Sequence, residues 1–310
     1  MTTSYETTDP AVPLFLHHEV PEVIFADGKW NEGPCYFPAW RTLIWSDIPN
    51  DRLMRFDEIT GTVSVFRAQS NNANGNTADR QGRLVTCEHG TRRVSRTEHD
   101  GRITVLAERF GGGRLNSPND VVVKSDGTIW FSDPNYGINT DYFGNRGPSE
   151  QDGAHVYRLD PATNGRLDAV ITTMTQPNGL AFTAEEKSLF VVDSARTMGP
   201  DHPCHIRRFD LAEDGTLADR GVVVEASVGL FDGIRLDDNG RIWAGAGDGL
   251  HCYAPDGRLL GKIRMDAPVI NLCFGGPKRN ILYLCAPRQV LRVPVRARGV
   301  GAFSTPAVGA

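Results

Sequence analysis

Nowhere in the 310 residues does a run approach the ~20 apolar side chains that a membrane-spanning helix requires. Basic side chains are not in excess either: 33 Lys and Arg stand against 38 Asp and Glu, for a formal net charge of −5. A mildly acidic chain offers no footprint for a phosphate backbone, which sets aside nucleic acid as a partner. The six cysteines (Cys35, Cys87, Cys204, Cys252, Cys273 and Cys285) form no Cys-x-x-Cys pair and no zinc-ribbon spacing. Several sit in apolar runs and read as buried, inert thiols. The opening residues, MTTSYETTDP, lack the basic start and apolar core of a secretory signal, so a soluble, cytoplasmic chain is expected. No Gly-x-Ser-x-Gly elbow and no nucleophilic cysteine signature appears, which disfavours covalent nucleophilic catalysis. Gly111-Gly112-Gly113 precedes no Lys-Ser/Thr, and GAGDG (245–249) lies between strand-like runs, so neither is a phosphate-cradling loop.

Long stretches of helical periodicity are missing too. Short β-branched and aromatic runs alternate instead with turn dipeptides, and the 33 glycines and 19 prolines spread along the whole length. One three-part phrase recurs. It reads LIWSDI (43–48), RLMRFD (52–57) and TVSVF (62–66), then LVTCEHG (84–90), RRVSR (92–96) and ITVLAE (103–108). It returns from IWFSDP (129–134), from LFVVDS (189–194) and from IWAGAG (242–247). A sixth copy, ILYLCAP (281–287) and VLRVPV (290–295), lacks the third part. Each phrase follows a short segment opening on a polar residue: Glu32, Asn76, Asn119, Asn178, Asp232 and Asn271. Four short strands per unit at roughly 40–50-residue spacing describe the blades of a propeller. The fold expected is all-β, a six-bladed β-propeller of four-stranded antiparallel blades. An open ring would leave unpaired edges, and VPEVIFAD (20–27) reads like the missing outer strand of the sixth blade. The expected organisation is an N-terminal extension over 1–19, the propeller over 20–296 and a tail over 297–310.

The first strand of a blade lines the central channel, so the six opening residues would ring one mouth. All six are carboxylates or carboxamides. Singly, each reads as a turn former bonding its own backbone. Jointly they make a hard-oxygen set suited to one divalent cation, calcium first, with zinc, manganese and magnesium as alternatives. Asn271 is the weakest member and reads equally as a strand cap.

The phrases NEGP (31–34), NSPNDVVVKSDGTIWFSDPNYG (116–137), QPNGLAF (176–182) and FDGIRLDDNGRIWAG (231–245) resemble the senescence-marker-protein/gluconolactonase/luciferin-regenerating, regucalcin-like family. The resemblance spans about residues 20–296 and is strongest to its bacterial gluconolactonases. It implies a propeller holding one divalent cation, usually calcium, and hydrolysis of sugar lactones such as glucono-1,5-lactone. Glu32, Asn178 and Asp232 match the family's metal ligands, and Asn119 matches an asparagine that binds the metal or the substrate beside it. Animal members carry arginine two residues before that asparagine, where this chain has Ser117.

Lactone opening needs a polarised carbonyl and an activated water, and Asp232 is the candidate base as well as a ligand. Candidate substrate contacts are Asn76, Asn119, Asp133, Tyr136, His89 and Asp193. Asp47, Glu88, Asp133 and Asp193 fall at equivalent second-strand ends, where they either meet substrate or strap blades together. His89 reads as a proton shuttle or as a satisfied side chain. The insertions at 135–153 and 195–204 are expected to shape a lid over the pocket. Two other readings compete with the lactonase: the same metal propeller opening another ester or organophosphate, and a non-catalytic binding scaffold. The expected assembly is a monomer or dimer, with a small-molecule partner.

Overall fold

Successive side chains of a strand point to opposite faces, and second strands such as Thr42–Asp47 and Ser188–Asp193 are buried on both. A computed structural model describes residues 3–16 and 20–300, which form six antiparallel blades around one axis. Blade 1 comprises Asn31–Phe37, Thr42–Asp47, Arg52–Asp57 and Thr62–Ala68. Blade 2 runs through Ala73–Ala78, Leu84–Glu88, Arg93–Thr97 and Ile103–Ala107. Blade 3 holds Val121–Val123, Ile129–Asp133, His155–Asp160 and Arg166–Ile171. Blade 4 holds Pro177–Phe182, Ser188–Asp193, His205–Leu211 and Leu217–Glu225.

The last two blades borrow from the start of the chain. Blade 6 (Asn271–Gly275, Ile281–Cys285, Val290–Pro294) takes Glu22–Phe25 as its outer strand, with Glu22 opposite Arg292. The ring therefore closes as the repeats predict. Blade 5 (Ile234–Leu236, Ile242–Ala246, Gly249–Tyr253, Leu259–Met265) carries a fifth strand that the repeats did not announce: Thr3–Thr7 pairs along its outer edge. Leu14 and Phe15 are buried as well, so part of the expected N-terminal extension is woven into the propeller. Backbone bonds from Gly299 to Arg279 and from Val300 to Leu236 do the same at the other end. The rest of the expected tail, 301–310, lies outside the described residues, as do 1–2 and 17–19 of the extension.

Six apolar clusters occupy the six gaps between neighbouring blades. Leu43 and Trp45 face blade 6 while Ile44, between them, faces blade 2. This two-sided burial explains why the second strands read as unbroken apolar runs. Helix is confined to one turn at Tyr136–Asn139 and short 3-10 turns, and no helix among the described residues is long and apolar enough to cross a membrane. All six cysteines are buried and unpaired.

Candidate active site

Contacts between neighbouring first strands fix which residues share a level in the channel. Gly33 has φ +53°, open to glycine at low cost, and a Cβ there would overlap the Asn74 carbonyl oxygen. Gly75 N–H donates to Asn119 O at 2.8 Å. Glu32, Asn74 and Asn119 therefore stand level on blades 1 to 3. A Cβ on Gly179 would overlap Asp232 O, and Gly233 N–H donates to Ile270 O at 2.8 Å. Asn178, Asp232 and Ile270 are thus level on blades 4 to 6.

This level corrects the expected ring at two places. Asn76 lies two residues deeper than its predicted station, and its side chain is spent on the protein. Nδ2 donates to Gly33 O (3.0 Å), Ser46 Oγ (2.8 Å) and Asn74 O (2.9 Å), and Oδ1 accepts from Thr86 (2.9 Å). Both amide hydrogens and one lone pair of Oδ1 are thus engaged inside the protein, and Asn76 is buried away from the mouth. Asn74 holds the mouth position instead, and the Asn74-Gly75 step, matching Glu32-Gly33, Asn178-Gly179 and Asp232-Gly233, is the signal that marks it. Asn271 also sits one step below the ring. Its Nδ2 donates to Glu32 Oε2 at 2.8 Å and its Oδ1 caps Leu272 N–H, so it orients Glu32.

Glu32, Asn178 and Asp232 converge. Glu32 is buried, and Oε2 also accepts the Gly33 N–H at 2.6 Å. Burial pushes its carboxyl well up, and the negative charges of Asp232 and Asp120 push it further. Asp232 retains some exposed surface. Desolvation by the surrounding protein raises it to about 7, the Asn178 amide opposing and Asp120 adding to the rise. Asn178 Nδ2 reaches Ser194 Oγ at 3.2 Å, and that hydroxyl donates to Phe231 O at 2.7 Å. Asn119 is buried in the ring with its backbone N–H on Ser132 O.

Below the ring the channel is plugged by a pair the sequence reading did not single out. Arg235 Nη1 lies 3.0 Å from Asp120 Oδ2, with the carboxylate buried. Asp120 follows Asn119 directly, and a charged residue in an otherwise apolar strand opening (NDVVV) is the signal it left. Arg235 also lines a cavity of about 450 Å³ at the opposite ends of the first strands, together with Tyr36, Asn76 and Phe274.

The second-strand acids are straps. Asp193 accepts the N–H groups of Thr175 and Gln176, each at 2.8 Å. Asp133 is fully buried and accepts Asn116 N–H at 2.7 Å. Asp47 takes Lys29 N–H and Arg52, and Glu88 takes Thr91, Arg93 and Ser95. Asp47, Glu88 and Asp193 have both oxygens engaged, whereas Asp133, fully buried, keeps Oδ1 without a partner. His89 is no shuttle, because it is buried with both ring nitrogens engaged, by Asn74 and by the Phe143 carbonyl. Burial pushes it down to about 4.

The 135–153 segment does cross toward the mouth. Ser117 is buried, donates to Pro134 O (2.6 Å) and accepts Gly137 N–H (2.9 Å), anchoring the Tyr136–Asn139 turn. Tyr136 is carried to within the field of the Asp232 carboxylate. Phe143 packs edge-on to Trp30 with ring centroids 5.2 Å apart.

No three His, Cys, Asp or Glu side chains cluster as a metal site among the described residues. A cation would therefore draw on carboxamides beside the two carboxylates. The donors fit that demand: the Asp232 charge raises the affinity of Glu32 for a proton, and the neighbouring donors Asn119 and Asn178 are hard oxygens.

This architecture is shared. Residues 30–287 match the SMP-30/Gluconolactonase/LRE-like region, and the chain belongs to that family. It is 30% identical to the gluconolactonase of Zymomonas mobilis, over 94% of this chain and 85% of that one. It is also 30% identical to the pentonolactonase XacC of Haloferax volcanii, over 86% and 84%. Among solved structures, the gluconolactonase XC5397 of Xanthomonas campestris superposes with TM-score 0.87 at 34% identity, covering 94% of each chain. A calcium-binding regucalcin of Agrobacterium tumefaciens shares the fold, with TM-score 0.74 at 17% identity over 91% of this chain and 95% of that one.

Proposed function

We propose that this protein is a lactone hydrolase that opens a sugar lactone of the glucono-1,5-lactone kind to its aldonic acid, with a divalent cation, calcium first, held by Glu32, Asn119, Asn178 and Asp232. The observation that carries the reading is the convergence of Glu32, Asn178 and Asp232 from three blades on one channel mouth. Relatives named gluconolactonase and pentonolactonase over most of the chain support the substrate class.

A cation bound there supplies Lewis acidity, polarising the carbonyl and stabilising the developing oxyanion. Glu32 fixes charge at the ring and is itself held by Asn271 and Gly33 N–H. Asn119 and Asn178 offer neutral oxygens. Asp232 orients a water and takes its proton as the hydroxide oxygen bonds to the carbonyl carbon. The ring C–O bond then breaks, and the proton passes to the departing alkoxide oxygen, leaving a hydroxy acid. Tyr136, near Asp232, lines the side where the substrate ring would lie.

The test is proton release from glucono-1,5-lactone by the purified chain, before and after chelation and again after calcium is restored. Activity that vanishes with chelator and returns with calcium is expected. Full activity in excess chelator would remove the cation from the reading, and no activity under any condition would remove the lactone.

A further inference from the structure

One oxygen of the mouth ring is held in place with nothing to bond. Asn74 is 3% exposed, and its Oδ1 is buried without a hydrogen-bond partner, although buried polar atoms are nearly always paired. Its orientation is dictated by a neighbour. His89 Nδ1 lies 3.1 Å from the Phe143 carbonyl oxygen. A carbonyl only accepts, so Nδ1 carries the proton and Nε2 presents a lone pair. Asn74 Nδ2, 3.1 Å from Nε2, must then be the donor. Turning the amide over would set Oδ1 against that lone pair, so Oδ1 is committed to some other group.

An amide oxygen accepts, and its counterpart is an O–H or a cation. What holds its amide favours the first: Asn74 is braced through His89 on the crossing segment rather than on another ring carboxylate. The proposed cation donors Glu32, Asn119, Asn178 and Asp232 belong to blades 1, 3, 4 and 5, with Asn271 bracing Glu32 from blade 6. Asn74, on blade 2, is tied through His89 to the crossing segment, which is fastened again where Asn145 Nδ2 donates to Gly90 O at 2.9 Å. The unpaired oxygen thus lies on the lid side, where the body of a substrate would extend from a carbonyl held near Asp232.

We propose that Asn74 Oδ1 accepts a hydrogen bond from a ring hydroxyl of the substrate, with Phe143 O and His89 positioning it, so that Asn74 selects hydroxylated lactones over bare ones. The proposal rests on the lactonase reading above and names the side of that site that reads hydroxyls. His89 is a positioning residue in this scheme.

The test compares kcat/KM for glucono-1,5-lactone with that for δ-valerolactone, which has the same ring ester and no hydroxyls. Asn74→Ala is expected to lower the ratio of the two about tenfold or more, through KM for the sugar lactone. His89→Leu, which lets the amide rotate, is expected to lower the same ratio. Calcium affinity by calorimetry should stay within about twofold of wild type in both variants. An unchanged ratio, or equal losses on both lactones, would overturn the proposal, and so would a tenfold loss of calcium affinity, which would make Asn74 a cation ligand. Asn74→Ser serves if the alanine variant does not fold by thermal unfolding. A wild-type chain that opens neither lactone defeats the lactonase reading separately. Asn74 is then judged by calorimetry with 1,5-anhydroglucitol, a ring polyol without the carbonyl. Binding weakened about tenfold in Asn74→Ala supports the hydroxyl contact, and equal or absent binding in both proteins overturns it.

Discussion

At the scale of single residues, the channel mouth separates groups by what remains for them to bond. Asp232 lies next to Glu32, and removing its charge while keeping its shape should stop water activation without disturbing packing. Asp232→Asn is expected to lower kcat about 10²–10⁴-fold with an unchanged circular dichroism spectrum. Turnover within tenfold of wild type would take Asp232 out of the base role. The Asp120–Arg235 pair invites a second measurement. Arg235→Met leaves Asp120 buried beside Glu32 and Asp232 with no countercharge, a loss of about 3–5 kcal/mol in urea unfolding. Adding Asp120→Asn to it should recover most of that loss, since the second change removes the stranded charge. Legibility in sequence followed the same line. Glu32, Asn178 and Asp232 were readable because each opens a blade and is followed by glycine or a strand run. Asn74 and Asn76 both precede small or polar residues in NGNT, and two asparagines two residues apart look alike in a sequence. The strapping roles of Asp133 and Asp193 are not legible in sequence, since a carboxylate at a strand end looks the same whether it faces backbone or solvent.

At the scale of the element, outer hairpins are stitched by ion clusters with a pH signature. Glu98 closes the turn after Arg93–Thr97 and meets Arg96 at 2.7 Å and Arg83, from the neighbouring turn, at 3.1 Å. The Arg96 guanidinium holds its carboxyl down at about 2. Asp210 is held at about 2 by the Ser188 hydroxyl, then by Arg220 and Arg208. A carboxyl whose folded pKa is depressed binds protons more readily when unfolded. Its stabilisation is complete above the ordinary carboxylate range and is lost as pH falls towards 2. The double variant Glu98→Gln, Asp210→Asn should therefore melt below wild type at pH 6, with the gap closing near pH 2. A gap that widens on acidification would contradict the assignment. Both clusters are partly exposed, so the gap at pH 6 should be small and shrink with added salt.

At the scale of the molecule, the repeats announced six blades and a closing strand, because two-sided burial writes itself as regular apolar runs. They did not announce Thr3–Thr7, since an outer edge strand half open to solvent carries no such pattern. Deleting residues 1–26 would strip the edge strands from blades 5 and 6 together. The melting temperature is expected to fall by more than about 5 °C, and the bared edges should raise light scattering on warming. A truncated chain with wild-type melting and no scattering would show that the ring closes without them.

The same two strands bear on how the polypeptide is made. Thr3–Thr7 leaves the ribosome long before its partner Leu259–Met265, and Glu22–Phe25 waits longer still for Val290–Pro294. Early blades can condense pairwise as they appear, while Thr3–Thr7 and Glu22–Phe25 stay unmatched until those partners emerge. The final seam is thus a long-range event, slow by virtue of the chain it must span, and the nascent arm is the segment a chaperone would have to shield.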